Sequence, residues 1–319
     1  MKLLVVGTGV IGSLYAIALS GQNCITHLAH QPKLASWNHK TINYDILDER
    51  KPKKDRYTKG VYTYRCVSKV TTHYDLIIVP IRFDQLGAFF AQINSSAPSS
   101  KYLILASNWT GTAAMDAVLQ PEQYVLGYAG GGGTFKDNNS LLWGNIGNDV
   151  LLGSVHHEQT ALLNVVRDLF QDSGIAPEMP ASVLHALWLH NVASAPFGAA
   201  LSKHMDIEKT FADKELGRTC FKAFKECYKV LEARGVNLGQ FPETRIFKAL
   251  FTLPYFIQSA LFRKNLQGEA AQRYTAHAIQ SVEEMLGNFR MILTSARELS
   301  VKIPNMEKLD TLIRQTTGT

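Results

Sequence analysis

A doubly wound, mostly parallel α/β domain followed by an all-α domain is the fold class the sequence predicts. Three observations predict it. The chain opens MKLLVVGTGVIGSLYA, a short apolar run that passes straight into a glycine-rich turn and then into small and apolar residues at helical spacing. Across the first half, short apolar runs alternate with helical segments, the pattern that builds a parallel sheet. Beyond residue 156 the hydrophobic period is almost wholly helical. A chain of 319 residues is long enough for two domains at roughly 100–200 residues each. The expected division is 1–155 and 156–319.

The elements follow in order. Residues 2–6 form a buried strand and 12–19 a helix of small and apolar residues. Residues 24–29 are a second strand. Residues 61–67, rich in β-branched and aromatic side chains, are a third. The run from Asp75 to Pro80 is short and apolar, the mark of a strand buried on both faces. Residues 102–106 and 124–128 repeat that type, with helices at 83–93 and 112–119 between strands. The glycines at 130–133 and the stretch 145–153 predict hairpin turns. Then come amphipathic segments at 161–170, 182–200, 214–234, 246–262 and 276–299. Pro254 should kink or break the fourth, and Arg234-Gly235 reads as a helix end with glycine just past it. No internal repeat or low-complexity tract is visible.

Composition excludes several classes. No apolar run approaches the ~20 residues that span a bilayer, and glycines follow Val6 where the apolar core of a signal peptide would have to continue. A cytoplasmic protein without membrane contact is expected. The net charge is +6, but the basic residues are dispersed. Their densest cluster, Arg50, Lys51, Lys53, Lys54 and Arg56 around Pro52, reads as a solvated loop and not as a nucleic-acid surface. A mild positive balance suits an anionic cofactor and an acidic substrate. Cys24, Cys66, Cys220 and Cys227 form no CxxC pair and have no histidine at ligand spacing, so neither a metal site nor a disulfide framework is expected. Cys220 and Cys227, seven apart, share a helix face as buried thiols.

The chemistry is carried first by Gly7-Thr8-Gly9-Val10-Ile11-Gly12, a GxGxxG motif directly after a strand and opening a helix. This is the phosphate loop of a Rossmann domain. The first glycine allows the tight turn, the second lets the backbone approach a pyrophosphate, and the third lets helix and strand pack closely. Backbone N–H groups at the helix start face the negative charge, aided by the helix dipole. The competing reading is a structural glycine turn. An NAD site places Asp or Glu at the end of the second strand to bind the ribose hydroxyls. Here the strand runs out as His27-Leu28-Ala29-His30-Gln31-Pro32-Lys33, with no carboxylate. His30, Gln31 and Lys33 suit a 2′-phosphate, which favours NADP(H) over NAD(H). The alternative is that all three are plain loop residues.

With this loop, the strand at 75–80 and the helical second half in view, the chain resembles the ketopantoate reductase (2-dehydropantoate 2-reductase) family. The resemblance implies NADPH-dependent reduction of a 2-oxo acid, with the active site in a cleft between the two domains. Arg82 and Gln85 match the basic residue and glutamine that follow the third family strand, with arginine in place of lysine, and Arg82 is expected to steer the cofactor or the substrate carboxylate. In Ser107-Asn108-Trp109-Thr110-Gly111, Asn108 matches the asparagine near the nicotinamide and substrate, and Trp109 replaces a glycine of the pocket wall. In Leu187-Trp188-Leu189-His190, histidine stands where the family has lysine. Ser194 and Gly198 stand where it has asparagines. Pro196 lies three positions before the family proline. Counting back from Pro304 puts Glu284 at the family's glutamate and Gln272 near its serine.

The resemblance thus implies Asn108 orienting the carbonyl, His190 supplying the proton and Glu284 orienting a substrate hydroxyl or the cofactor ribose. Ser194 and Gln272 would contact substrate. A histidine suits the proton role because its pKa of about 6.5 lets it donate near neutral pH. Competing readings are a helix histidine satisfied by its surroundings and, for Glu283 and Glu284, a solvated helix face. His185, His204 and His277 are further candidates. An opine or 3-hydroxy acid dehydrogenase, or a non-catalytic dinucleotide-binding protein, are the alternative functions. A small 2-oxo acid is the expected partner, and a homodimer built on the helical domain is the assembly considered.

Overall fold

The computed structural model describes residues 1–93 and 99–317. β1 (Lys2–Val6) is apolar on both faces because it lies inside a sheet covered on both sides. Leu3 and Val5 enter one core, Leu4 and Val6 the other. Then follow α1 (Val10–Leu19), β2 (Cys24–Leu28), α2 (Gln31–Trp37), β3 (Thr41–Asp48), β4 (Tyr57–Thr63), β5 (Cys66–Val67), β6 (Leu76–Val79), α3 (Leu86–Ile93), β7 (Tyr102–Leu105), α4 (Ala113–Asp116), β8 (Tyr124–Lys136), β9 (Leu141–Gly153), α5 (Thr160–Asp172) and β10 (Ala176–Glu178). The strand order is β4-β3-β9-β8-β7-β6-β1-β2-β5, with β10 on β9. β1 runs parallel to β2 on one side and to β6 on the other. It therefore sits at the switch point beyond whose strand ends such sheets bind ligands.

The sheet curls round α1. β4 and β2 lie far apart in strand order, yet His27 on β2 and Tyr62 on β4 are hydrogen-bonded at 2.9 Å. Ser13 of α1 bonds Tyr64 at 2.6 Å. On the other flank Gly130 donates its N–H to the Tyr15 hydroxyl. A Cβ on Gly144 would stand 3.0 Å from Leu14. The helix is thus held between strands on several sides.

Several sequence expectations change here. The glycines at 130–133 and the stretch 145–153 do not form turns; they lie inside β8 and β9. The turn between these strands uses Asp137, Asn138 and Asn139, all at positive φ. The glycines serve close backbone approach instead: a Cβ at Gly130 would fall 2.2 Å from the Asp149 carbonyl oxygen. The expected single strand at 61–67 is two, split at Tyr64 and Arg65 between opposite ends of the sheet. β3 and α2 were not among the expected elements, although Thr41–Ile46 alternates polar and apolar residues. The basic cluster does lie in a loop, between β3 and β4. Arg50 is tied into it by the Asp48 carboxylate and by the carbonyls of Ala18 and Ser173.

The chain divides into two compact units, Met1–Leu187 and Trp188–Thr319. The first therefore runs past residue 155, because β10 extends the sheet from β9 and α5 buries Val166 and Phe170 in its core. The division falls within α6 (Val183–His204). The second unit continues with α7 (Ile207–Ala212), α8 (Lys214–Ala233), α9 (Pro242–Leu250), α10 (Tyr255–Asn265), α11 (Glu269–Gln280), α12 (Val282–Glu298) and α13 (Pro304–Thr317). Asp206 and Asp213 cap α7 and α8 through backbone N–H groups. Gly235, at φ 84, ends α8 as expected. Pro254 separates α9 from α10, and the segment expected at 276–299 is cut at Ser281. Glu226, buried in α8, accepts N–H bonds from Asn305 and Met306 at the start of α13. Cys220 and Cys227 are buried on α8. No helix among the described residues is long and apolar enough to cross a membrane.

The strand pairing at the glycines is testable. Gly130→Ala should lower stability by about 1–3 kcal/mol, the usual effect of forcing a group into a filled space. Urea unfolding measures it, and an unchanged midpoint would mean that β8 and β9 can part there without penalty.

Candidate active site

The phosphate loop is built by three different constraints on its glycines. Gly7 adopts φ 84, the left-handed region that glycine tolerates best. Its N–H donates to Leu28 O, and its carbonyl oxygen accepts from His27 Nδ1 at 2.9 Å. Gly12 has no room: a Cβ would meet Val5 Cγ1 at 3.0 Å and Pro80 Cγ at 3.2 Å. Gly9 differs, because nothing lies within 4 Å of the position of its Cβ. It is the N-cap of α1, extended at φ −73 and ψ 174, and no side chain caps the helix there. The protein itself does not demand glycine at this point. An unfilled cradle before an uncapped helix N-terminus fits a pyrophosphate, whose oxygens need backbone N–H groups at close range.

His30 stands at the N-cap of α2, with Gln31 in its first turn and Lys33 following; all three are exposed. Gln31 Nε2 donates to Ser68 Oγ at 3.3 Å. Ser68 follows β5, whose pairing with β2 brings it here, and sequence reading missed it because nothing in the pattern announces that pairing. Arg82 follows β6. Its guanidinium is held by the Asp84 carboxylate, Nε to Oδ1 at 3.0 Å, and this arginine lowers the Asp84 pKa. Asn108, after β7, is buried and uses both ends of its amide on Gly111, donating to the carbonyl at 3.0 Å and accepting from the N–H at 2.8 Å. It clamps its own loop, with Gly111 at φ 91. Trp109 is buried at 2% exposure. Residues 7–12, His30, Gln31, Lys33, Arg82 and Asn108 thus gather beyond the carboxyl ends of four neighbouring parallel strands, β2, β1, β6 and β7.

The second unit holds the remaining candidates. His190 and Ser194 lie one turn apart on α6, and Ser194 Oγ donates to the carbonyls of His190 and Asn191 at 3.2 Å each. Protein packed around His190 lowers its pKa to about 4, yet the residue is exposed. A Cβ on Gly198 would stand 2.2 Å from Met285 Cβ, so glycine here lets α12 approach α6. Glu284 precedes Met285 in the first turn of α12. Gln272 on α11 is exposed and donates to Gln267 O at 3.3 Å. Its neighbour Arg273, which sequence reading passed over, is buried and paired with Glu269 at 2.6 Å.

The sequence matches no family profile and no curated protein. Solved structures do match over the whole chain. A dimeric ketopantoate reductase from Staphylococcus aureus is 15% identical, with a TM-score of 0.68, covering 100% of this chain and 99% of its own. D-mandelate dehydrogenase, determined with NADH and anilino(oxo)acetate, is 13% identical with a TM-score of 0.73 at the same coverage. A PanE/ApbA family ketopantoate reductase from Ralstonia eutropha JMP134 is 14% identical with a TM-score of 0.72, again covering 100% and 99%. What this chain shares with them is the fold.

Two measurements probe the loop and the polar core behind it. Gly9→Val should melt like the parent and lose dinucleotide binding, whereas Gly12→Val should be destabilised by its clash with Val5 and Pro80; thermal melts with a fluorescence titration separate the two. The second concerns pH. Burial lowers the His27 pKa from 6.5 to about 4. The unfolded chain then binds the proton more readily, so the stability tied to the neutral ring is present above pH 6.5 and is lost as pH falls towards 4. The loss is on the order of 3 kcal/mol. Urea unfolding across that range should show a smaller pH slope for His27→Phe than for the parent.

Proposed function

We propose that this chain is an NADPH-dependent reductase of a small 2-oxo acid, a divergent relative of the ketopantoate reductases acting in the cytoplasm. The observation that carries the reading is the cradle at Gly9, kept open at the switch point of a sheet whose fold is shared, end to end, with 2-oxo acid reductases. The absence of a carboxylate around His30, Gln31 and Lys33 supports NADPH over NADH. When bound, the nicotinamide supplies a hydride to the carbonyl carbon.

The residues of the chain do the rest. The backbone of residues 7–12 binds the pyrophosphate, and His30, Gln31 and Lys33 hold the 2′-phosphate. Arg82, buffered by Asp84, steers the anionic groups. Asn108 sets its loop through Gly111 and orients the carbonyl. His190 gives a proton to the carbonyl oxygen, Glu284 orients a substrate hydroxyl or the ribose, and Ser194 and Gln272 contact the substrate. Two observations favour a second reading, a dinucleotide-binding protein without turnover: Ser194 spends its hydroxyl on its own helix, and Gly198 serves packing in place of an asparagine. A homodimer is the proposed assembly, in keeping with the dimeric S. aureus relative and with Ile246 and Phe256 exposed on the second unit.

The test is direct. NADPH should bind more tightly than NADH in a calorimetric titration, and NADPH oxidation should appear with at least one member of a panel of aliphatic and aryl 2-oxo acids. Binding without turnover across the panel would favour the second reading. His190→Ala should lower kcat by ~10²–10⁴-fold, the range for a positioned proton donor, and His190→Lys should keep or raise activity on ketopantoate. The sign of the pH dependence follows from the lowered His190 pKa. The imidazolium is lost as pH rises above about 4, so reduction should slow from there upward in the parent and less so in His190→Lys.

A further inference from the structure

We infer that His27, a residue with no access to any ligand, is a positioning residue for the phosphate loop: its ring holds the Gly7–Thr8 peptide in the one orientation that serves a bound dinucleotide. The inference rests on the cofactor reading above. Gly7 is pinned at both ends by consecutive residues of β2. Its N–H is taken by the Leu28 carbonyl at 2.8 Å and its carbonyl by the His27 side chain at 2.9 Å. At φ 84 a glycine has little else to hold its peptide plane. In a trans peptide the C=O and the next N–H point in opposite directions. Drawing Gly7 O onto His27 therefore turns the Thr8 N–H away from that ring.

The ring can do this in only one tautomer. A carbonyl oxygen accepts and never donates, so Nδ1 must carry the proton. Nε2 must then accept, and the Tyr62 hydroxyl at 2.9 Å is its donor. The groups that face the ring are Tyr62, Tyr64 and Cys66. Burial raises the pKa of all three, so none bears charge at neutral pH. The ring of Tyr64 lies 4.9 Å from that of His27 and 4.8 Å from that of Trp37, which leaves the imidazole no space to turn. The same Tyr64 bonds Ser13 in the first turn of α1. One aromatic cluster, delivered by β4 and the segment after it, thus fixes both the loop and the helix start behind it.

The experiment uses the full chain and NADPH as probe, with Kd read by fluorescence and folding read by thermal melting. His27→Phe keeps the ring volume and deletes both hydrogen bonds. His27→Asn restores an N–H close to the place of Nδ1. NADPH should bind His27→Phe about tenfold more weakly, the scale set by one buried hydrogen bond, and His27→Asn should recover most of that loss. In turnover the defect should appear in the KM for NADPH and not in kcat. Tyr62→Phe should weaken NADPH binding about threefold, and it carries the test if His27→Phe does not fold. Equal binding by parent and His27→Phe, or by parent and Tyr62→Phe in the second case, would overturn the inference and leave the cofactor reading standing. So would an Asn variant as weak as the Phe variant. A parent that binds neither NADPH nor NADH overturns the cofactor reading and takes this inference with it.

Discussion

The approach of α1 to β1 and β6 at Gly12 is the contact on which the first unit turns. With Val5 and Pro80 at 3.0 and 3.2 Å from the site of a Cβ, the helix can start only where the side chain is missing. That closeness forces the tight turn at Gly7, points the helix N-terminus past the carboxyl ends of the strands, and sets Ser13, Leu14 and Tyr15 against the chain that closes over them. Ser13 meets Tyr64, Tyr15 meets Gly130, and Leu14 packs where Gly144 has no side chain. Three glycines thus do three jobs. One turns the chain, one removes volume between packed elements, and one, Gly9, faces open space at the helix start.

Those parts of the fold that depend on local pattern were legible in the sequence. β1, β6 and β7 are apolar runs bounded by polar residues, and the GxGxxG motif between strand and helix located the loop residue by residue. Pro254 and Gly235 marked helix ends because their covalent geometry permits little else. What failed to show depends on partners distant in the chain. β3 alternates polar and apolar residues from Thr41 to Ile46, yet nothing local announces its place between β4 and β9. Gly130 looks like a turn residue until Asp149 is placed 2.2 Å from its absent Cβ. At the site, the positions of His30, Gln31 and Lys33 were legible as the end of β2. The ion pair of Arg82 with Asp84, the clamp of Asn108 on Gly111 and the bonds of His27 were not. Each is a choice among several partners that sequence spacing leaves open.

The helical unit illustrates a different economy of design. Gly198 is explained by packing: Met285 occupies the space a side chain would need. Glu226 gives up its solvation to gather the first N–H groups of α13, which couples that helix to α8. Charges and small residues here secure helix against helix.

The pairing of β3 with β9 has a bearing on how the first unit is made. Asn43 is matched with Leu141 and Asp48 with Ile146, so a strand near the start of the chain waits for one synthesised far later. Until then β3 and β4 have no sheet to join, and Tyr15 of α1 lacks the backbone of Gly130. Contacts of such long sequence separation form slowly, because the loop they close must be ordered before they repay it. On a ribosome, the flank of α1 that carries Leu14 and Tyr15 would stay uncovered until Gly130 and Gly144 had emerged.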